Sequence, residues 1–298
     1  MSNAIHATSS LVRRLKIVLV HSLISWIDQR GASKGAALAF YTLFSMTPIL
    51  MLSIAVAGYF FGAEAAQGEI VSQIAGLVGP NGALAIQALL AATSDASSGL
   101  IATLAAAALL LLGTTSVFVE LKGSLDELWG VNRQCQSVFR DLLRTRLLSF
   151  GIVLVLAFLL LISLVVSAAL AILERYADGA WSGSVLALGT VSSVISFAVI
   201  TCMFAVIYKT LPAAPLSWRD VVIGALFTAG LFSLGKIAIG AYLRNSGVAS
   251  GFGAAGSLIA LLLWVYYSAQ IFFLGAEFTR HYALSIGSLR KAPLPLAK

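Results

Sequence analysis

Charged residues leave this chain in long gaps, and the gaps outline its elements. No Asp, Glu, Lys or Arg occurs between Lys34 and Glu64, Asp95 and Glu120, Arg146 and Glu174, or Asp178 and Lys209. The stretch from Asp220 to Arg244 is broken only by Lys236, and Arg244 to Glu277 completes the set. A helix needs ~20 apolar residues to cross a hydrocarbon core of ~30 Å, and each of these six intervals can hold one. Unpaired backbone amides are not tolerated in lipid, so the intervals predict spanning helices and not loops. The spans fall at about 36–61, 99–119, 148–173, 185–207, 221–243 and 255–276. The predicted fold is all-α: a polytopic six-helix transmembrane bundle.

The connecting segments carry patterns of their own. Residues 11–30 wind into an amphipathic helix, with Arg14, His21, Ser25 and Asp28 on one face and Leu11, Leu15, Val18, Leu19 and Trp26 on the other. That pattern suits a helix lying in the cytoplasmic interface; one packed on the bundle is the alternative. Within 62–98, Ile70, Val71, Ile74, Leu77 and Val78 recur at helical spacing, as do Leu84, Ile86, Leu89 and Leu90. Gly79-Pro80-Asn81-Gly82 breaks the two runs, which predicts a helical hairpin on the periplasmic face. Its stripe Ile70, Ile74 and Leu77 is expected to pack on the outer ends of the spans. Ser124-Leu125-Asp126-Glu127 matches a helix-starting capping box. Residues 1–34 then form a cytoplasmic N-terminal segment, 35–277 the membrane domain and 278–298 a cytoplasmic tail.

Composition agrees with this picture. The chain is 59% hydrophobic and 10% charged, with a mean hydropathy of +0.96. A soluble domain carries ~25% charged residues. One membrane domain is expected, leaving no room in these residues for a soluble catalytic domain. The net charge of +7 changes meaning once its distribution is seen. Sixteen Lys and Arg fall before span one, between spans two and three, between four and five, and after six; only Arg175 and Arg244 fall in the other connections. Basic loops mark the cytoplasmic side, so both termini are expected there, and anionic lipid is a better partner than nucleic acid. Cys135 and Cys202 cannot sensibly pair, and no cleavable signal is expected.

Enzyme chemistry is sparse. His6, His21 and His281 lie far apart in the sequence without metal-ligand spacing, and no Gly-rich loop ends in Lys-Ser or Lys-Thr. Adjacent Asp126 and Glu127 read as a helix surface and not as a two-metal site. No catalytic, metal or cofactor site is therefore expected. Polar groups inside the spans are better leads, because burying them in lipid is costly. Lys236 lies ~12 Å of helix rise from Arg244, within reach of snorkelling, a buried partner or a substrate path. Tyr266 and Gln270 share a face of span six, which Glu277 ends; Tyr41 and Ser45 share a face of span one, which Pro48 should kink. Together Tyr41, Ser45, Pro48, Lys236, Tyr266, Gln270 and Glu277 form a candidate polar path, with helix–helix glue as the plainer reading. Gly247-x-x-x-Gly251 and Gly253-x-x-x-Ser257 before span six permit either close packing or a flexible gate.

Ala-Ala-Leu-Ala-Phe-Tyr-Thr-Leu-Phe-Ser-Met-Thr-Pro at 36–48, Leu-Asp-Glu-Leu-Trp at 125–129 and Leu-Pro at 211–212 come in a distinctive order. Trp-Arg-Asp at 218–220, Gly-Phe-Gly-Ala-Ala-Gly-Ser at 251–257, Leu-Trp-Val-Tyr-Tyr-Ser at 263–268 and Leu-Gly-Ala-Glu at 274–277 follow. In this combination the chain resembles the YihY/BrkB family of six-span bacterial inner-membrane proteins, over about residues 30–285. The resemblance implies a transport or envelope-related role, with lipid-like cargo among the suggestions, and carries over no site residues. Some members bear a ribonuclease label (ribonuclease BN), which these residues do not support: no metal-binding cluster stands beside a basic groove. The leading expectation is a transporter or exporter of a small or lipid-like molecule, not driven by ATP. A non-transporting structural or interaction protein of the envelope is the alternative, and a nuclease a distant third. The expected partners are the lipid bilayer and such a molecule, without nucleic acid; a homo-oligomer stays open.

Overall fold

The computed structural model describes residues 2–78, 80–94, 117, 119–130, 182–212, 214–245 and 256–291. Among them the regular structure is helical throughout, without strands. In chain order the helices are α1 (Ser2–Asp28), α2 (Gly31–Phe61), α3 (Ala63–Val78), α4 (Pro80–Ser94), α5 (residues 119–128), α6 (Ser182–Thr210), α7 (Trp218–Asn245) and α8 (Gly256–Ser285). A 3-10 turn at Ser288–Lys291 follows.

Three of the described helices are long and apolar enough to cross a membrane: Ser193–Thr210 of α6, Trp218–Tyr242 of α7 and Leu258–Ser285 of α8. These match expected spans four, five and six. Span one falls within α2, which is helical through Pro48. Spans two and three lie almost wholly outside the described residues, as do Gly247, Gly251 and Gly253. Burial rises from 17% of the α6 span to 44% of the α8 span, so α8 is the most enclosed of the three. Val194, Leu226, Leu234 and Ile237 stay exposed on these helices. Outward apolar side chains suit a lipid solvent and would be costly in water.

Local chemistry explains the element ends. Gly62 closes α2 with φ 88°, where its N–H donates to the Gly58 carbonyl; a side chain would resist that backbone. Pro80 opens α4 at the position where its missing N–H costs nothing. α6 stops before Pro212, which disfavours helix at Leu211. Lys209 in its last turn donates to the Leu216 carbonyl and lies 5.7 Å from the centre of the Trp218 ring. Ser217 caps α7: its Oγ accepts from Asp220 N–H at 3.3 Å, and its carbonyl from Val221 N–H at 3.2 Å.

Two expectations are corrected here. Ser124 does not start a helix. Residues 119–128 are already helical, and its hydroxyl donates backwards to Glu120 Oε1 at 3.3 Å, an option that serine also has in mid-helix. Nor does Glu277 end its helix. α8 continues to Ser285 because Phe278, Thr279 and Ala283 keep its inward stripe buried.

The chain divides into two compact units. The first takes residues 1–29, 125–231 and 274–298; the second takes 30–124 and 232–273. In the first, Val18 and Ser22 of α1 are buried, whereas Ile17, Val20, Ile24 and Ile27 stand exposed along one stripe. Arg14, His21 and Asp28, the polar face expected from the sequence, are exposed as well, so α1 turns both an apolar stripe and its polar groups outward. Leu125, Leu128, Tyr208, Val221 and Ala225 are also buried in this unit. In the second unit α2, α3 and α4 pack on one another. Its core joins Ala39 and Leu50 of α2, Val71 of α3, Ile86 and Leu90 of α4, and Leu261 and Val265 of α8. Ile70 packs against this core; the side chains of Ile74 and Leu77 lie outside the described residues.

Candidate functional site

In the first unit, α7 and α8 meet through one short motif used twice. Gly224-x-x-x-Thr228 on α7 runs antiparallel to Gly275-x-x-x-Thr279 on α8. Each threonine fills the space over the other helix's glycine, so a Cβ on Gly224 would overlap Thr279 Oγ1, and one on Gly275 would overlap Thr228 Oγ1. Each hydroxyl donates to the glycine carbonyl one turn back, Thr228 to Gly224 at 2.8 Å and Thr279 to Gly275 at 2.7 Å. The Thr228 proton is thereby used, so at 3.2 Å Tyr208 of α6 is the donor to Thr228 Oγ1. Phe227 and Phe278 stack alongside, with ring centroids 4.0 Å apart. Small residues let the backbones approach, and the buried hydroxyls leave no polar debt.

That lock fixes what the opposite face of α8 presents. Glu277 lies two residues, about 200° of helix rotation, from both Gly275 and Thr279. Its side chain is 0% exposed. Its Oε2 lies 3.6 Å from His281 Nε2 and 3.8 Å from Arg280 Nη1. The Arg280 side chain keeps 27% exposure, and its other terminal nitrogen faces Gly130. Among the described residues, His281 Nε2 is buried without a hydrogen-bond partner. The His21 ring of α1 comes within 6.1 Å of the His281 ring, centroid to centroid. His21 Nδ1 lies 2.8 Å from the Ile17 carbonyl, which can only accept, so Nδ1 carries the proton and Nε2 stays open. The two histidines, distant in sequence, are neighbours in the fold.

A buried aspartate ties the C-terminal turn to the start of α7. Asp220 Oδ2 accepts from Ser288 N–H at 3.0 Å and from Ser288 Oγ at 2.5 Å. Gly287 passes so close that a Cβ there would overlap the Asp220 carboxylate.

The second unit has a different feature. Phe232, Lys236 and Ile239 of α7 face Trp264, Tyr267, Ser268 and Ile271 of α8 across a narrow crevice, none of it wide enough for a water molecule. Lys236 is exposed at its edge. Phe232 meets Trp264 edge-on, at 83°. Gly235 permits the approach, since a Cβ there would stand 2.5 Å from Tyr267 Cε1. Ser268 donates to the Trp264 carbonyl at 2.9 Å and so offers the crevice no free proton.

The seven predicted path residues separate. Glu277 belongs to the first unit and the other six to the second. Ser45 is buried, with its hydroxyl donated to the Tyr41 carbonyl at 2.8 Å. Tyr41 itself is exposed and meets Phe40 edge-on. Tyr266 packs against the apolar core. Gln270 donates from Nε2 to the Ala32 carbonyl at 3.3 Å and buries Oε1 without a partner among the described residues. The side chain of Pro48 lies outside the described residues. Lys236 shares its crevice with Tyr267, not Tyr266. Among the described residues no group of three His, Cys, Asp or Glu side chains is placed to hold a metal.

Comparison with known proteins gives the same membrane reading. The family model described as Virulence factor BrkB matches residues 25–295. A UPF0761 membrane protein of Verminephrobacter eiseniae is 29% identical over 252 residues, covering 83% of this chain and 57% of its own. One of Stenotrophomonas maltophilia is 28% identical over 276 residues, covering 91% and 61%. The chain thus spans roughly three-fifths of the length of these curated relatives. No solved structure matches.

Proposed function

The chain belongs to the Virulence factor BrkB family of membrane proteins, and from that premise we propose that it moves a small, anionic, lipid-like molecule in the bacterial inner membrane without ATP. The observation that carries this reading is the Lys236 crevice. A cation within a span is costly, and there it stands beside an indole, a phenol and apolar walls. An ammonium recognises a phosphate or carboxylate headgroup, while Trp264 and Tyr267 are residue types that sit well at headgroup level. The crevice is closed as it stands, and the flexible Lys236 stem is the part that gives way. The framework of this proposal is six spans, both termini in the cytoplasm and α3 with α4 as a periplasmic hairpin. Reporter fusions at residues 80 and 180 then read periplasmic, and those at 135, 214 and 295 cytoplasmic. A periplasmic carboxyl terminus would overturn that framework.

The direct test uses the full chain in vesicles containing fluorescent phosphatidylglycerol, with a membrane-impermeant quencher outside. Wild-type protein should speed exchange between leaflets above protein-free vesicles. Lys236→Leu should abolish the increase at equal protein content, and Lys236→Arg should keep part of it. The second reading, a non-transporting envelope protein, is favoured by one observation. Ser45, Thr201, Thr228, Ser268 and Thr279 all donate to carbonyls of their own helices, as packing residues do. Wild-type vesicles no faster than empty ones would favour it.

A further inference from the structure

Burial is graded along His21, His281 and Glu277. His21 is exposed, the His281 side chain keeps 20% exposure, and the Glu277 side chain keeps none. The three therefore lead from the surface of the first unit to a carboxyl group held out of water. We propose that Glu277 is a proton-binding site loaded through His21 and His281, and that its protonation couples a proton gradient to the movement proposed above; the coupling rests on that reading, the site does not.

The atoms allow one order of transfer. His21 keeps its Nδ1 proton on the Ile17 carbonyl, so a proton from hydronium can add only at Nε2, leaving water and an imidazolium. That imidazolium passes its Nε2 proton to His281 at Nδ1, across rings 6.1 Å apart, a gap that a small ring movement or one water spans. His281 then holds protons on both nitrogens and releases the one on Nε2, the atom 3.6 Å from Glu277 Oε2. The products are a neutral carboxylic acid and a neutral His281, with no charge created or lost. The buried, unbonded Nε2 of His281 is what marks this nitrogen as a relay and not as an anchored structural group. Among the described residues, Arg280 and His281 of α8 stand against the carboxyl, with His21 of α1 behind. At 3.8 Å the Arg280 guanidinium is beyond hydrogen-bond range, so it biases the carboxylate without locking it. An intramembrane carboxyl with histidine neighbours has the composition of a proton relay.

Infrared difference spectra of the full chain in nanodiscs, taken on acidification, read the site without any substrate. Wild type should gain the carbonyl stretch of a protonated carboxylic acid. Glu277→Gln should lose that band, and Glu277→Asp should keep it at a shifted frequency. After a pH jump, His281→Phe should slow its appearance by roughly 10²-fold or more, the scale of a positioned proton-transfer group. An unchanged band in Glu277→Gln would overturn the site, and an unchanged rate in His281→Phe would overturn the relay. The vesicle assay separates the rest. Lipid exchange by wild type that is indifferent both to a proton gradient and to Glu277→Gln overturns the coupling. If the band depends on Glu277 but wild type moves no lipid, the transport reading fails and the proton site stands.

Discussion

Two faces of the same helix differ in how they treat their polar groups. On one face of α8, Gly275 and Thr279 interlock with Thr228 and Gly224, every hydroxyl has a partner, and no space is left for another methyl. On the other face, Glu277 and His281 bring a carboxyl and an imidazole close without a hydrogen bond between them at 3.6 Å, and His281 Nε2 is left unbonded. A satisfied, close-packed surface specifies a fold. A surface with buried polar atoms in reserve forgoes stability that packing would supply, and such sites are where function is expected. α8 therefore divides its work: one face holds the first unit together and the other offers chemistry.

The strongest way to break the comparison is to fill the closed face. Gly275→Ala puts a methyl onto Thr228 Oγ1 and within about 2.6 Å of Tyr208 Oη. Overpacking of this kind costs ~1–3 kcal/mol, measured as a lowered midpoint of thermal unfolding in detergent. Adding Thr228→Ala to the same chain should recover part of the loss, because the overlapping hydroxyl is gone.

A comparable effect is expected where the C-terminal turn is tied down. Asp220→Ala removes the acceptor of two bonds from Ser288 and should cost ~1.5–3 kcal/mol, the range for bonds to a charged group. The turn should also loosen, so limited trypsin cleavage after exposed Arg290 should speed up relative to wild type. Unchanged cleavage would mean that other contacts hold the turn.

Tyr208→Phe is a smaller probe of the closed face. It removes the donor to Thr228 while the Thr228–Gly224 bond survives, at a cost of ~0.5–1.5 kcal/mol. The smallest effect is expected at Arg30, which has φ 55° between α1 and α2. Glycine adopts that conformation without strain, so Arg30→Gly should raise thermal stability by up to ~1 kcal/mol.

Much of this fold was legible because lipid makes a blunt demand on sequence. Charge-poor intervals near Asp178–Lys209, Asp220–Arg244 and Arg244–Glu277 became α6, α7 and α8. Helix ends were harder to read. A span's apolar stripe narrows to one buried face after Glu277, so a tail was expected where Phe278, Thr279 and Ala283 carry the helix on. Ser124 was ambiguous because its hydroxyl can cap an N-terminus or bond back within a helix, and the residues around it fit both. The site was less legible still. His21 and His281 meet only because α1 and α8 lie side by side, a tertiary fact without a local pattern. Gly224-x-x-x-Thr228 and Gly275-x-x-x-Thr279 did leave a signal, the same small-residue spacing as Gly247-x-x-x-Gly251. What distinguishes them is the reciprocal fit, which no single helix displays.

The division of α8 into a sealed face and a chemical face meets its most direct test in thermal unfolding of Glu277→Gln beside Gly275→Ala, both full-length in the same detergent. Glutamine keeps the volume of glutamate, and Arg280 retains its own solvent access. A wild-type midpoint is expected for Glu277→Gln and a clear drop for Gly275→Ala. A drop for Glu277→Gln as large as that for Gly275→Ala would make Glu277 one more structural residue and contradict the division.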